Sequence, residues 1–160
     1  MRLYRIAPER YLADLSGKGT SFRRGGRWNL PGTPVVYFSD SPATAMLEMG
    51  NYLPSPKLIP DDYRLGAYEA PDSLLTREIT VEQANRTNER WATIPRLAEI
   101  QKLGDSSLME CCLLRVPSVV AKPLGACTNL LLNPDHSGAG DLTLVESIQD
   151  IFDDRLFNGE

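Results

Sequence analysis

Hydrophobic positions recur in short runs along this chain, and their spacing predicts strands interleaved with helices. Residues 3–6 and 63–69 alternate between apolar and polar side chains, which is typical of strands with one buried face. Residues 34–38 form a continuous apolar run with β-branched and aromatic side chains, which favours a buried strand. Residues 129–132 and 142–152 are predicted to form two further strands. Short strands mixed with helices indicate an α+β fold.

The clearest helix signal follows the apolar run at residues 34–38. Ser41 is suited to the N-cap and Pro42 to the first helical position. Apolar side chains occupy most positions from there to about residue 53, which predicts a mostly buried helix. Glu48 lies in its middle, and no basic residue occurs at helical spacing from it. Because a buried, unpaired carboxylate costs free energy, we expect a partner from elsewhere in the fold or a pocket in front of Glu48.

The second half of the chain predicts two further helices. Residues 80–83 (TVEQ) have the spacing of a capping box. Residues 94–103 place leucine and isoleucine on one helical face, and Gly104 is expected to end that helix. Residues 108–116 are interpreted as the end of a helix followed by a core strand, with an extended run resuming at 117–120.

Length and composition indicate one globular domain over residues 1–160. A chain of 160 residues with 42% hydrophobic and 24% charged residues has enough apolar material for a single core. The net charge of −4 gives no chain-wide attraction to nucleic acid or to an anionic membrane, so neither is expected as a partner. The sequence contains no run of 18 apolar residues and no signal-peptide core at its N-terminus.

The three cysteines, Cys111, Cys112 and Cys127, lack the spacing of a metal site or of a disulfide framework. We interpret them as reduced, mostly buried thiols of a cytoplasmic protein, and we expect no metal. A catalytic cysteine needs a histidine partner, and the sequence offers only His136.

Positive charge is concentrated just before the apolar run at residues 34–38. Its densest group consists of Lys18, Arg23, Arg24 and Arg27, interleaved with glycines that allow the backbone to approach a ligand closely. The planar arginine fork suits phosphate oxygens. Any anion site on this acidic chain is therefore expected here.

The residues alone leave several function classes open. No Walker loop, dinucleotide fingerprint, zinc-protease helix, paired CxxC or nucleophile elbow occurs in the sequence. Candidate chemistry is scattered over Arg27, Tyr37, Glu48, Ser118, Asn133 and His136. One alternative to an enzyme is an RNA-binding or RNA-cleaving toxin that stacks bases on Trp28 and Tyr37. Another is a non-catalytic domain in which Arg27 and Glu48 form a structural ion pair.

Several short motifs, taken in order, resemble the RES domain, the toxin half of bacterial Xre–RES toxin–antitoxin pairs. The matching segments are Tyr4-Arg5, residues 25–29 (GGRWN), 34–37 (PVVY), 45–48 (AMLE), 116–118 (VPS), Asn129, 133–136 (NPDH) and 154–156 (DRL). They span nearly the whole chain, and residues 53–108 match least. The arginine, glutamate and serine of the family name correspond to Arg27, Glu48 and Ser118.

The resemblance implies a fold similar to that of ADP-ribosyltransferase toxins and an activity on NAD⁺. Members break the nicotinamide–ribose bond and pass ADP-ribose to phosphate, to water or to a protein. Glu48 would then stabilise positive charge on the ribose, and Arg27 would bind the pyrophosphate. Tyr37 would contact nicotinamide, and Ser118 would donate a hydrogen bond to phosphate or ribose.

Five more residues are expected to contact the substrate: Arg5, Trp28, Asn29, Asn133 and His136. NAD⁺ is a substrate in this interpretation, inorganic phosphate is a candidate co-substrate, and no resident cofactor is expected. The resemblance also implies an Xre-family antitoxin as partner and leaves self-association open.

Overall fold

A seven-stranded mixed sheet forms the framework of the computed structural model, which describes residues 1–51 and 58–153. Within these residues the strands are β1 (Arg2–Pro8), β2 (Val36–Ser39), β3 (Tyr63–Glu69), β4 (Thr76–Glu78), β5 (Leu113–Pro117), β6 (Thr128–Leu132) and β7 (Thr143–Ile148). The described α-helices are α1 (Thr20–Arg24), α2 (Pro42–Gly50), α3 (Val81–Thr87) and α4 (Ala98–Leu108), and 3-10 turns cover Glu9–Tyr11 and Ser137–Asp141. The predicted α+β fold is confirmed.

The sheet consists of two well-paired halves, β4-β5-β6-β2 and β1-β3-β7, which are joined by a single pair of residues. Its strand order is β4-β5-β6-β2-β1-β3-β7, and only β4 and β5 are parallel. β1 pairs with β3 along its whole length, and β2 pairs with β6 at each of its four residues. β1 and β2, in contrast, pair only at Tyr4 and Ser39. The two central strands therefore diverge beyond this one pair.

The core lies on both faces of the sheet, as the alternation along β6 requires. Leu130 and Leu132 belong to a cluster around the edge-on pair of Phe38 and Tyr68, whose ring centroids are 4.8 Å apart. Leu131 faces the other way, into a cluster that contains the tryptophan pair and residues of α3 and α4. Helices α3 and α4 thus cover one face of the sheet, behind residues 23–29, which we call the basic loop.

Helix α2 begins as the sequence predicts, but it is less buried than expected. The Ser41 side chain accepts a hydrogen bond from the Thr44 backbone N–H at 3.1 Å, and Pro42 is the first helical residue. The prediction of a mostly buried helix is wrong, because α2 packs against β1 and β2 through one face only. Ala45 on that face is buried, whereas Leu47 on the other is 49% exposed. Residues 52–53 of the predicted helix lie outside the described residues.

The helix predicted at residues 94–103 is shifted towards the C-terminus, and the expected role of Gly104 is wrong. Helix α4 runs through this glycine to Leu108. A Cβ atom at Gly104 would lie 1.9 Å from the backbone oxygen of Trp28. The glycine is therefore needed where the helix passes close to the basic loop, and it does not end the helix.

Most other local predictions are confirmed. The strands expected near residues 3–6, 34–38, 63–69 and 129–132 appear as β1, β2, β3 and β6, and the capping box forms at Thr80. Residues 108–116 contain the end of α4 and most of β5, as expected. The extended run predicted at 117–120 is wrong, because the chain bends after β5. The last strand, β7, is shorter than the strand predicted at residues 142–152. Separately, no described helix is long and apolar enough to cross a membrane.

Candidate active site

A cleft of about 570 Å³ opens where β1 and β2 diverge. Its walls combine residues of both strands with α2 and with the segment around residues 14–23. Clefts of several hundred cubic ångströms are typical of small-molecule sites. The divergence of β1 and β2 thus creates a cavity of suitable size, and the core on either face of the sheet remains intact.

Glu48 lies at the end of the cleft where β2 finishes. Its Oε1 atom accepts a hydrogen bond from Ser118 Oγ at 2.7 Å and another from Asn129 Nδ2. Its Oε2 atom accepts a longer one, 3.4 Å, from Asn51 Nδ2. The expected partners from elsewhere in the fold are therefore neutral donors, and among the described residues no ion pair joins Glu48 to Arg27. A half-buried carboxylate is held in one orientation and faces a cleft.

The two main donors to Glu48 are themselves fixed. Asn129 lies in β6, and its Oδ1 atom accepts a hydrogen bond from Ser39 Oγ at 3.2 Å. Ser118 is buried just after β5, and its Oγ atom accepts a hydrogen bond from the Val120 backbone N–H at 3.2 Å. Ser118 therefore donates to Glu48, and a hydrogen bond from Ser118 to phosphate or ribose remains a prediction.

Asp40 connects α2 to β6 beneath this site. Its Oδ1 atom accepts a hydrogen bond from Thr44 Oγ1 at 2.7 Å, and its Oδ2 atom accepts two from Thr128, at 3.0 Å from N and 2.6 Å from Oγ1. Burial raises the pKa of Asp40, but the hydrogen bonds from Thr128 and Thr44 outweigh burial and lower it overall. Thr44 is one helical turn before Glu48, and Thr128 immediately precedes Asn129. Asp40 thus sets the spacing of the two elements that carry the carboxylate and its donor.

Sequence reasoning did not identify Asp40 as a site residue, nor did it assign a role to Asn129. The only local signal for Asn129 is an amide beside three leucines in a strand pattern. Asp40 precedes a helix N-cap, where an acidic residue is ordinary.

The side chain of Arg27 is hydrogen-bonded to the segment that precedes α4. Its guanidinium donates hydrogen bonds to the backbone oxygens of Trp91 and Ile94, the latter at 3.0 Å. Trp28 is buried against Trp91, with ring centroids 5.5 Å apart. Within the described residues neither Arg27 nor Trp28 lines the cleft. Their contacts anchor the basic loop to the segment before α4, and their roles toward substrate remain predictions.

Asn29 is the centre around which the basic loop folds. Its fully buried amide donates to the backbone oxygens of Ser21 and Leu30, both at 3.0 Å. Its Oδ1 atom accepts from Gly26 N at 3.0 Å and from Tyr37 Oη at 2.8 Å. These bonds give Asn29 a structural role, and a direct substrate contact remains a prediction.

Tyr37 and Arg5 both line the cleft. Tyr37 belongs to β2, and its hydroxyl links that strand to the basic loop through Asn29. The guanidinium of Arg5 donates to the backbone oxygens of Tyr11 and Asp14 at 3.3 and 3.2 Å. Both residues shape the wall of the cleft, and substrate contact by either remains a prediction.

Asn133 and His136 lie beyond the far end of β6 from Asn129. The Asn133 amide donates to the Leu108 backbone oxygen at 3.1 Å, and its Oδ1 atom accepts from Asp135 N at 3.0 Å. The Nδ1 atom of His136 accepts from Gly138 N at 3.0 Å and caps a 3-10 turn. Neither is among the described residues that line the cleft, so substrate contact by either remains a prediction.

The three cysteines are free thiols and are at least partly buried, as the sequence predicts. Cys111 and Cys112 are buried, Cys127 is half-buried, and all three are free. Burial raises the pKa of Cys111 and of Cys112, so both stay protonated and unreactive at neutral pH. The described residues contain no group of three or more His, Cys, Asp or Glu side chains arranged to hold a metal ion.

Comparison with known proteins identifies the family. A model of the RES domain matches residues 2–153. The chain is 36% identical over 161 residues to Toxin Res of Pseudomonas putida, covering 98% of this chain and 100% of that protein. It is 33% identical over 164 residues to Toxin Res of Yersinia enterocolitica, covering 98% and 99%. It is 32% identical over 157 residues to the Prs ADP-ribosylating toxin of Sphingobium sp., covering 89% and 86%. As its ordered motifs predict, the chain belongs to the RES domain family of toxins.

Proposed function

We propose that this protein consumes NAD⁺ by cleaving the bond between nicotinamide and ribose. The observation that carries the proposal is the carboxylate of Glu48, held by Ser118 and Asn129 at one end of the cleft. Breaking this glycosidic bond builds positive charge on the ribose. A carboxylate that is already oriented stabilises that charge without reorganisation, and such preorganisation is worth several kcal/mol.

The other cleft residues support the same reaction. Tyr37 on the wall offers its aromatic ring to the departing nicotinamide, while its hydroxyl is held by Asn29. Ser118 donates its hydroxyl hydrogen bond to Glu48 and keeps that carboxylate in place, so its part in this proposal is to position Glu48. NAD⁺ is the substrate, and phosphate or water accepts the ADP-ribose.

A second candidate is transfer of ADP-ribose to a specific protein. The name of the Sphingobium relative, an ADP-ribosylating toxin, favours this alternative. It uses the same bond cleavage and the same Glu48, and only the acceptor differs.

The test is incubation of the purified protein with NAD⁺, with and without inorganic phosphate, while nicotinamide and the ADP-ribose product are measured. Phosphate-dependent release would identify a phosphorylase, and phosphate-independent release a glycohydrolase. Release that requires a cell extract and labels one protein would identify a transferase. Absence of release under all three conditions would refute the proposal.

Uncontrolled loss of NAD⁺ harms the cell that makes the enzyme, so an inhibitory partner is part of the proposal. An Xre-family antitoxin that covers the cleft would meet this need. Co-expression should then preserve cellular NAD⁺, and continued depletion in the presence of the antitoxin would contradict this assignment. Self-association is a separate proposal, and sedimentation of the purified protein tests it.

A further inference from the structure

We infer that the end of the cleft opposite Glu48 is a diphosphate subsite formed by Lys18 and Arg23. This inference rests on the proposed function, since it names the part of the site that holds the phosphates of the dinucleotide. It assigns the anion contact to residues other than Arg27.

The cleft has Glu48 towards one end and the segment that carries Lys18 towards the other. The Val35 backbone N–H donates to the Gly17 oxygen at 3.2 Å, which places the segment carrying Lys18 beside the start of β2. Glu48 accepts a hydrogen bond from Asn129, and the strand partner of Asn129 is Ser39, the last residue of β2. Val35 and Ser39 are four residues apart, which corresponds to about 13 Å along a strand. Lys18 and Glu48 therefore lie towards opposite ends of this strand. Asp14 also lines the cleft, and its carboxylate accepts a hydrogen bond from Ser16 N at 2.9 Å.

The charges of Lys18 and Arg23 are available to a ligand. Lys18 and Arg23 both line the cleft and are exposed. No salt bridge between described residues involves either of them. Arg5 also lines the cleft, but its guanidinium is bonded to two backbone oxygens of the neighbouring segment. Lys18 and Arg23 are thus the cations best placed to gain from a bound anion.

The structure divides the basic cluster that the sequence shows. Arg24 is exposed next to Arg23, yet it is not among the residues that line the cleft. Arg27 donates to the backbone oxygens of Trp91 and Ile94 and holds the loop. Two of the four cations therefore face the cleft, and Arg24 provides a control of equal charge one residue away.

This polarity fits a dinucleotide in one orientation. A lysine and an arginine suit the non-bridging oxygens of a diphosphate, one as a point charge and the other as a planar fork. The carboxylate of Glu48 repels phosphate and attracts the positive charge that develops on the ribose. The two ends together orient the glycosidic bond towards Glu48.

The test compares the double variant Lys18→Ala/Arg23→Ala with Arg24→Ala. Binding of ADP-ribose, which carries the diphosphate but does not react, is measured by titration calorimetry. A charge-assisted hydrogen bond at an exposed site contributes about tenfold in affinity, so the double variant should bind about a hundredfold more weakly. Each single variant should lose about tenfold, and Arg24→Ala should stay within about twofold. Melting temperatures should be unchanged, because the altered side chains are exposed.

Activity separates this inference from the proposed function. The KM for NAD⁺ should rise in the double variant in proportion to the loss of ADP-ribose affinity, and it should stay unchanged in Arg24→Ala. If the double variant binds ADP-ribose as tightly as the unaltered protein, or if Arg24→Ala weakens binding equally, the inference is overturned. If Lys18 and Arg23 govern ADP-ribose binding but the unaltered protein releases no nicotinamide, the proposed function fails and the subsite stands.

Discussion

Two substitutions of Glu48 separate the charge of this residue from its structural role. In Glu48→Gln the amide oxygen can still accept the hydrogen bonds of Ser118 and Asn129, while the negative charge disappears. In Glu48→Ala both donors lose their acceptor. If Glu48 stabilises charge on the ribose, the two variants should be equally inactive and differ in stability.

The magnitudes follow from the geometry. Removing one preorganised electrostatic group from an active site typically lowers kcat by about 10²–10³. Leaving a buried donor unpaired costs about 1–3 kcal/mol, but Glu48 borders an open cleft, so water can replace part of the lost bonding. We therefore expect Glu48→Ala to lose about 1–2 kcal/mol, which is about 2–8 °C in Tm for a chain of this size.

Nicotinamide release and thermal unfolding are the two assays. Glu48→Gln should unfold within about 2 °C of the unaltered protein and still release nicotinamide at least about a hundredfold more slowly. Retention of more than about a tenth of the activity at an unchanged Tm would refute the charge role. A large fall in Tm for Glu48→Gln would instead show that the hydrogen-bond network requires the carboxylate.

Further predictions concern the support of the site. Gly104→Ala should lower the free energy of unfolding by about 3 kcal/mol in calorimetry, because its Cβ would meet the Trp28 carbonyl, whereas Gly50→Ala has open space around it and should not. Asp40→Asn should lower Tm at pH 7. Because the pKa of Asp40 is lower in the folded protein than in the unfolded chain, its carboxylate stabilises the fold fully above the unfolded pKa. The difference in Tm between the variant and the unaltered protein should therefore shrink as the pH falls below about 3.9. Asp105 in α4 accepts hydrogen bonds from Leu30 N and Thr33 Oγ1, but burial outweighs them and raises its pKa. Asp105→Asn should therefore lower Tm at pH 7 less than Asp40→Asn does, and an equal fall would contradict this reasoning.

Elements with local signals were predictable from the sequence. The N-cap at Ser41, the capping box at Thr80 and the strand at residues 63–69 depend on residues within a few positions of one another, and all three form. Ordered family motifs also indicated Glu48 and Ser118 as site residues, and the structure brings these two side chains together.

Elements that depend on distant contacts were not predictable. A glycine after an apolar stretch looks like a helix stop, and only the approach of the Trp28 backbone shows why Gly104 lies inside α4. Adjacent arginines look equivalent in a sequence, yet Arg23 lines the cleft and Arg24 does not. Whether an apolar helix is covered depends on its neighbours, which is why the exposed face of α2 was missed.

The distances along the chain between Glu48 and its donors have a consequence for synthesis. Ser118 and Asn129 follow Glu48 by 70 and 81 residues. At translation rates of about 5–20 residues per second, Asn129 is added about 4–16 s after Glu48. Until then the growing polypeptide carries the glutamate without the amide that orients it. The hydrogen bonds that orient Glu48 therefore cannot form during the first seconds after this residue is synthesised.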